Sequence, residues 1–112
     1  MKRKFSLKKN DEIKRVLDAR HVVRNRYFSI HKYKNHDMNY FRFAISVPKK
    51  YGNAVERNQM KRRIKMIIAQ YKIKEPFDFF IIVNPKAKQL SFQSIDQEIT
   101  FLLKKHNIIE VK

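Results

Sequence analysis

The apolar positions follow two periodicities, and the chain switches between them several times. Ile13, Val16 and Leu17 recur at helical spacing after Asn10, Asp11 and Glu12, an N-cap followed by acids at the positive end of a helix dipole. This predicts a short helix to about Ala19. From Val22 to Tyr33, β-branched and aromatic residues alternate with polar ones, the pattern of a strand. One of its faces would carry Arg24, Arg26, Phe28 and Ile30, the other Asn25, Tyr27, Ser29, His31 and Tyr33. After a polar turn from Lys34 to Asn39, a second strand puts Phe41, Phe43, Ile45 and Val47 on a core face. Its other face carries Arg42, Ala44 and Ser46, where small side chains make a shallow surface on which something can pack or bind.

Pro48 ends that strand, and Lys49 to Asn53 form a loop in which Gly52, the only glycine, is expected at positive φ. Asn53 with Glu56 three residues on makes a capping box, and Met60, Ile64, Ile67, Ile68 and Tyr71 keep helical period behind it. Pro76 precedes a third strand, Phe77 to Val83, which is apolar on both faces and so expected at the centre of the sheet. Ser91 caps a last helix bearing Ile95, Ile99, Leu102 and Leu103. The order is αββαβα, an α+β fold with helices packed on a small mixed sheet. Neither an internal repeat nor a low-complexity linker interrupts it.

Length and composition narrow this further. At 112 residues the expectation is one compact domain, residues 1–112, with one modest core. The longest apolar runs, such as Phe79 to Val83, are far too short for a bilayer span. The basic start, Met1 to Lys4, lacks the apolar stretch of a signal peptide. With no cysteine, neither a disulfide framework nor a thiolate metal site is expected. These features together point to a cytoplasmic protein that does not engage a membrane.

Charge is the strongest signal in the composition. Lys and Arg total 27 against 10 acids, a net charge of +17, which calls for a polyanionic partner. The charge is also asymmetric: residues 1–65 hold 20 cations and 5 acids, residues 66–112 hold 7 and 5. A solvated lysine-rich surface would spread its charge evenly. At about 100° per residue, Arg57, Asn58, Lys61, Arg62 and Lys65 fall in one arc of the central helix, beside the arc of Met60, Ile64 and Ile67. Like charges at i, i+4, here Arg57 with Lys61 and Lys61 with Lys65, cost a few tenths of a kcal/mol each in an isolated helix. An external polyanion explains their retention; guanidinium forks suit phosphate oxygens, and an amide both donates and accepts.

The run from Phe43 to Arg62 carries an ordered motif: Ser46 and Val47 before Lys49-Lys50, then Gly52-Asn53-Ala54-Val55, then Arg57-Asn58 and Lys61-Arg62. It resembles the signature of the bacterial ribonuclease P protein family. Similarity extends over nearly the whole chain, including Leu7 to Asn10 and Asn25-Arg26 with Phe28. The resemblance implies a left-handed βαβ crossover around the basic helix, against the usual rule. It also implies a non-catalytic protein subunit that assists an RNA catalyst in removing the 5′ leader of precursor tRNA with Mg²⁺, the ion being held mainly by the RNA. On that basis Lys49, Lys50, Asn53, Arg57, Asn58, Lys61, Arg62 and Lys65 are expected to meet the catalytic RNA subunit. Ile13, Leu17, Arg24, Arg26, Tyr27, His31 and Tyr33 are expected to form a cleft for the leader. Three departures from the family pattern stand out. Lys65 replaces a final arginine; Ile13 and Leu17 stand where phenylalanines are common; Asn84-Pro85-Lys86-Ala87 replaces an Arg-x-Pro-Ala segment.

Other readings remain open from the residues alone. A ribosomal or RNA-chaperone protein would share the charge and the fold, and the aromatics Tyr27, His31 and Tyr33 could simply fill a sheet surface. A helix-turn-helix DNA binder needs a second helix within a few residues of the first, whereas strands flank the basic helix. The acids show no two-metal spacing, and His21, His31, His36 and His106 lack ligand spacing. A metal-independent nuclease would need His31 to meet His21 or His36. No catalytic residue, no bound metal and no protein partner are expected.

Overall fold

The computed structural model describes residues 6–110; the basic stretch 1–5 and residues 111–112 lie outside it. Helix α1 (Asn10–Asp18) is followed by strands β1 (His21–Arg24), β2 (Phe28–Lys34) and β3 (Arg42–Ser46), helix α2 (Ala54–Ala69), strand β4 (Phe77–Val83) and helix α3 (Phe92–Lys105). Short 3-10 helices follow β3 at Lys49–Tyr51 and β4 at Pro85–Gln89. The sheet runs β1-β2-β4-β3. β4 pairs antiparallel with β2 and parallel with β3, so the strand that is apolar on both faces is central and the sheet is mixed. The α+β class expected from the sequence is the one observed.

One expected strand proves to be two. The alternation from Val22 to Tyr33 is broken at Asn25, whose Oδ1 accepts from the backbone N–H groups of Tyr27 and Phe28 at 2.8 and 2.9 Å. That side-chain-closed turn reverses the chain into a β1–β2 hairpin, in which Arg24 opposes Ser29 and Val22 opposes His31. The element order is therefore αβββαβα. Arg24 shares a face with Ser29 and His31, not with Phe28 and Ile30. Each arm alternates by itself, but the phase shifts by one residue across the turn, so a single unbroken period puts Arg24 on the wrong face.

Smaller corrections follow the same logic. Asn10 is the first helical residue of α1, and Lys9 occupies the cap position with no side-chain cap bond. Gly52 is extended (φ 165°); its use lies elsewhere, since a Cβ there would run into Glu56 Oε1. Tyr71 lies past the end of α2, with its hydroxyl 3.0 Å from Thr100 Oγ1 on α3.

The core lies between the sheet and α2 and α3. Phe28, Ile30, Phe43, Phe79 and Ile81 from the sheet meet Met60, Ile64, Ile67, Ile99 and Leu103 from the helices, all buried. Phe43 and Phe79 stack at 5.3 Å. Val16 of α1 and Leu7 are buried but stand outside this cluster, because they cover the other face of the sheet. Leu7 reaches the edge of β3 by donating its N–H to Phe43 O at 2.9 Å.

Candidate nucleic-acid interface

The basic helix is built by its cap. Asn53 Oδ1 accepts from Glu56 N at 2.9 Å, and Glu56 Oε1 accepts from Asn53 N at 3.0 Å. Lys88 pairs with the same glutamate at 3.0 Å. The bond from the Asn53 backbone, then that lysine, holds the Glu56 carboxyl below its usual range. The only acid of α2 is thus spent on starting the helix, and the rest of its polar surface is cationic or neutral. Asn58, Arg62 and Lys65 are exposed; Arg57 and Lys61 are half-buried against the helix. The buried Nε of Arg57 has no partner within the protein. Lys49 and Lys50 are exposed on the 3-10 turn leading into α2. Asn53, expected to touch RNA, commits its carbonyl to the cap.

The second surface is the sheet face turned away from α2. Across β1, β2, β4 and β3 it presents three rows read from the register: Tyr33, Asp78 and Arg42; then Val22, His31, Phe80 and Ala44; then Arg24, Ser29, Ile82 and Ser46. Helix α1 is anchored over the first row. Asp78, fully buried, accepts from Arg42 Nε and Nη2 at 3.0 and 2.8 Å and from Asn35 Nδ2 at 3.0 Å. Arg42 Nη1 donates to Glu12 on α1 at 2.6 Å. Arg15 of α1 lies 3.8 Å from Asp78 and sits over the Tyr33 ring at 4.9 Å. The bond to Asp78 raises the Arg42 pKa still further above its usual value.

The expected cleft residues are therefore only partly assembled. His31 and Arg24 share the open face, with the half-buried Ile13 and Leu17 flanking Val16 on α1. Burial, then the nearby Arg24, push the His31 imidazole pKa down, and its Nδ1 has no partner. Tyr33 is on the same face but clamped under Arg15. Tyr27 is not on it: the hairpin turn packs its ring against the main core. Arg26 is exposed in that turn. His31 opposes Val22, not His21, across β1 and β2. Arg15 and Asp78, which with Glu12 fasten the helix, and Phe80 and Ile82, which floor the cleft, were not expected there from sequence, and Glu12 was expected only as a helix-start acid. Their alternation was visible, but the pairing that puts Asp78 beside Arg42 was not.

Among the described residues there is no group of three or more His, Cys, Asp or Glu placed to hold a metal ion. Asp78, the one buried carboxylate among the described residues, is consumed by arginine and asparagine. Nor is any helix among them long and apolar enough to cross a membrane.

Fold and surfaces together define a small, strongly basic α+β protein with a cationic helix on one side of a sheet and an open cleft on the other. A family model described as Ribonuclease P matches residues 1–107. The ribonuclease P protein component of Acholeplasma laidlawii is 41% identical over 112 residues, covering 98% of this chain and 96% of that one. The structure of the Staphylococcus aureus RNase P protein superposes with a TM-score of 0.87 at 31% identity, covering 95% of this chain and 98% of that chain. The Thermotoga maritima RNase P protein gives 0.79 at 27% identity, over 89% and 96%. The chain belongs to the ribonuclease P protein family. It is thereby the protein part of a tRNA-processing ribonuclease P, whose partner is an RNA subunit.

Proposed function

We propose that this chain binds the catalytic RNA of ribonuclease P through α2 and Lys49-Lys50, and holds the single-stranded 5′ leader of precursor tRNA in the cleft beside α1. The observation that carries this reading is the separation of the two surfaces. The cations of α2 flank the helix-covered side of the sheet, while His31 and Arg24 lie on the side covered only at one end by α1. Two anionic partners can then be held at once. Arg57 and Arg62 supply forks for phosphate oxygens, and a cationic, aromatic-floored cleft suits an unpaired strand of any sequence.

In this reading the polypeptide performs no bond-breaking step. Mg²⁺ would be held mainly by the RNA and would supply Lewis-acid activation for phosphodiester hydrolysis. The protein's residues bind, orient and neutralise. Its working compartment is the cytoplasm, in keeping with a cysteine-free chain. The test is reconstitution: protein alone, RNA alone and both together, assayed on precursor tRNA with and without Mg²⁺. Efficient cleavage is expected only where the RNA is present. Cleavage by the protein after nuclease treatment, abolished by His31→Ala, would refute the assignment.

A further inference from the structure

The middle row of the open sheet face contains an aromatic side chain that the core does not use. Phe80 stands between His31 on β2 and Ala44 on β3. It is partly exposed and, unlike Phe77, Phe79 and Ile81 on the same strand, is outside the main core. On the β3 side its neighbour is only the methyl group of Ala44, and although Leu7 and Val16 cover part of this face the ring keeps some exposure. Helix α1 carries no aromatic residue, and Tyr33 on the same face is clamped under Arg15.

Charge around the ring selects the occupant. The acid on this face, Asp78, is buried and paired with Arg42. Arg24 is exposed on the neighbouring row, and with Ser29 and Ile82 it lines a concavity of about 340 Å³ toward Pro48 and Pro85. Beyond it the exposed Lys49 and Lys50 lead to the basic helix. An apolar ring with an arginine on the next row, two strands away, fits a nucleotide strand, a base on the ring and a neighbouring phosphate on the guanidinium. An apolar peptide would have no use for the arginine, and duplex RNA would not expose a base face.

We infer that Phe80 is the stacking platform of the cleft, taking one unpaired base of the leader, with Arg24 on the adjoining phosphate. This rests on the leader-binding reading above and adds to it a residue and a contact. His31 stands beside the ring, where burial and the nearby Arg24 disfavour its charged form.

The test is a leader scan in the reconstituted holoenzyme, with precursor tRNAs carrying a single abasic site at each leader position in turn. With the unmodified protein, one position should weaken precursor affinity by about 5- to 150-fold, the range of a lost base–aromatic contact. In Phe80→Leu, which keeps an apolar side chain and the fold, affinity for the intact precursor should fall by a similar factor. The abasic penalty at that one position should vanish, and mature tRNA affinity should stay unchanged. Phe80→Tyr should restore both. An abasic penalty that persists undiminished in Phe80→Leu would overturn the stacking assignment while leaving leader binding intact. Equal affinity of the unmodified holoenzyme for precursor and mature tRNA would overturn the leader reading itself, and this inference with it.

Discussion

Arg42 grips Asp78 at two points, Nε to Oδ1 at 3.0 Å and Nη2 to Oδ2 at 2.8 Å, and with its remaining nitrogen holds Glu12 of α1. Their partnership joins β3, β4 and the first helix at one end of the cleft. Both side chains are removed from water, Asp78 completely and Arg42 nearly so. A charge left there alone would be costly.

Asp78→Ala should therefore destabilise by about 3 kcal/mol, since it leaves a nearly buried guanidinium with Glu12 as its main remaining partner. The double variant Asp78→Ala with Arg42→Met should lose much less than the sum of the two single changes. Urea unfolding of the four proteins measures the coupling; strict additivity would show that the pair does not act as a unit.

The capping box offers a second cycle. Asn53→Ala should cost about 1 kcal/mol. Gly52→Ala should displace the Glu56 carboxylate that its new methyl meets, undoing the other half of the same box. Because both changes remove one device, the double variant should be barely less stable than the worse single one.

His106 gives a pH dependence. Burial lowers its pKa below the ordinary 6.5, against the bond its Nε2 donates to His21 O at 2.9 Å. The native state thus binds fewer protons than the unfolded chain once pH falls to the unfolded value. Stability is full above about pH 6.5 and declines below it, continuing to fall until the folded group also protonates. Urea midpoints between pH 7.5 and 5 should show this decline, and His106→Asn should flatten it. His31, shifted in the same direction, should leave a smaller residual slope.

Affinity for the RNA subunit should fall steeply with salt. If roughly six to ten phosphates are neutralised, the loss is about 10³-fold or more between 50 and 200 mM. Arg57→Ala or Arg62→Ala should each weaken assembly by about 1.5–3 kcal/mol and lower the salt slope, without changing precursor-versus-mature discrimination. A slope near zero would remove α2 from the interface.

Features that depend only on neighbours along the chain are legible without the fold. The capping box at Asn53, the cap at Ser91, the cationic arc of α2 and the two-sided apolarity of Phe77 to Val83 are local patterns, and all appear in the structure where expected. The long ordered motif from Phe43 to Arg62 was also enough to indicate the family. Tertiary structure decided what depends on who meets whom across the sheet. One turn closed by the Asn25 side chain made two strands of one, moved Tyr27 to the core and set Arg24 beside His31. Strand register put Asp78 against Arg42 and Phe80 against Ala44. Register is set by non-local packing and hydrogen bonding, and a slip of one residue exchanges the two faces of a strand. Alternation alone therefore shows that a strand has two faces, but only its partners decide which residues share the cleft.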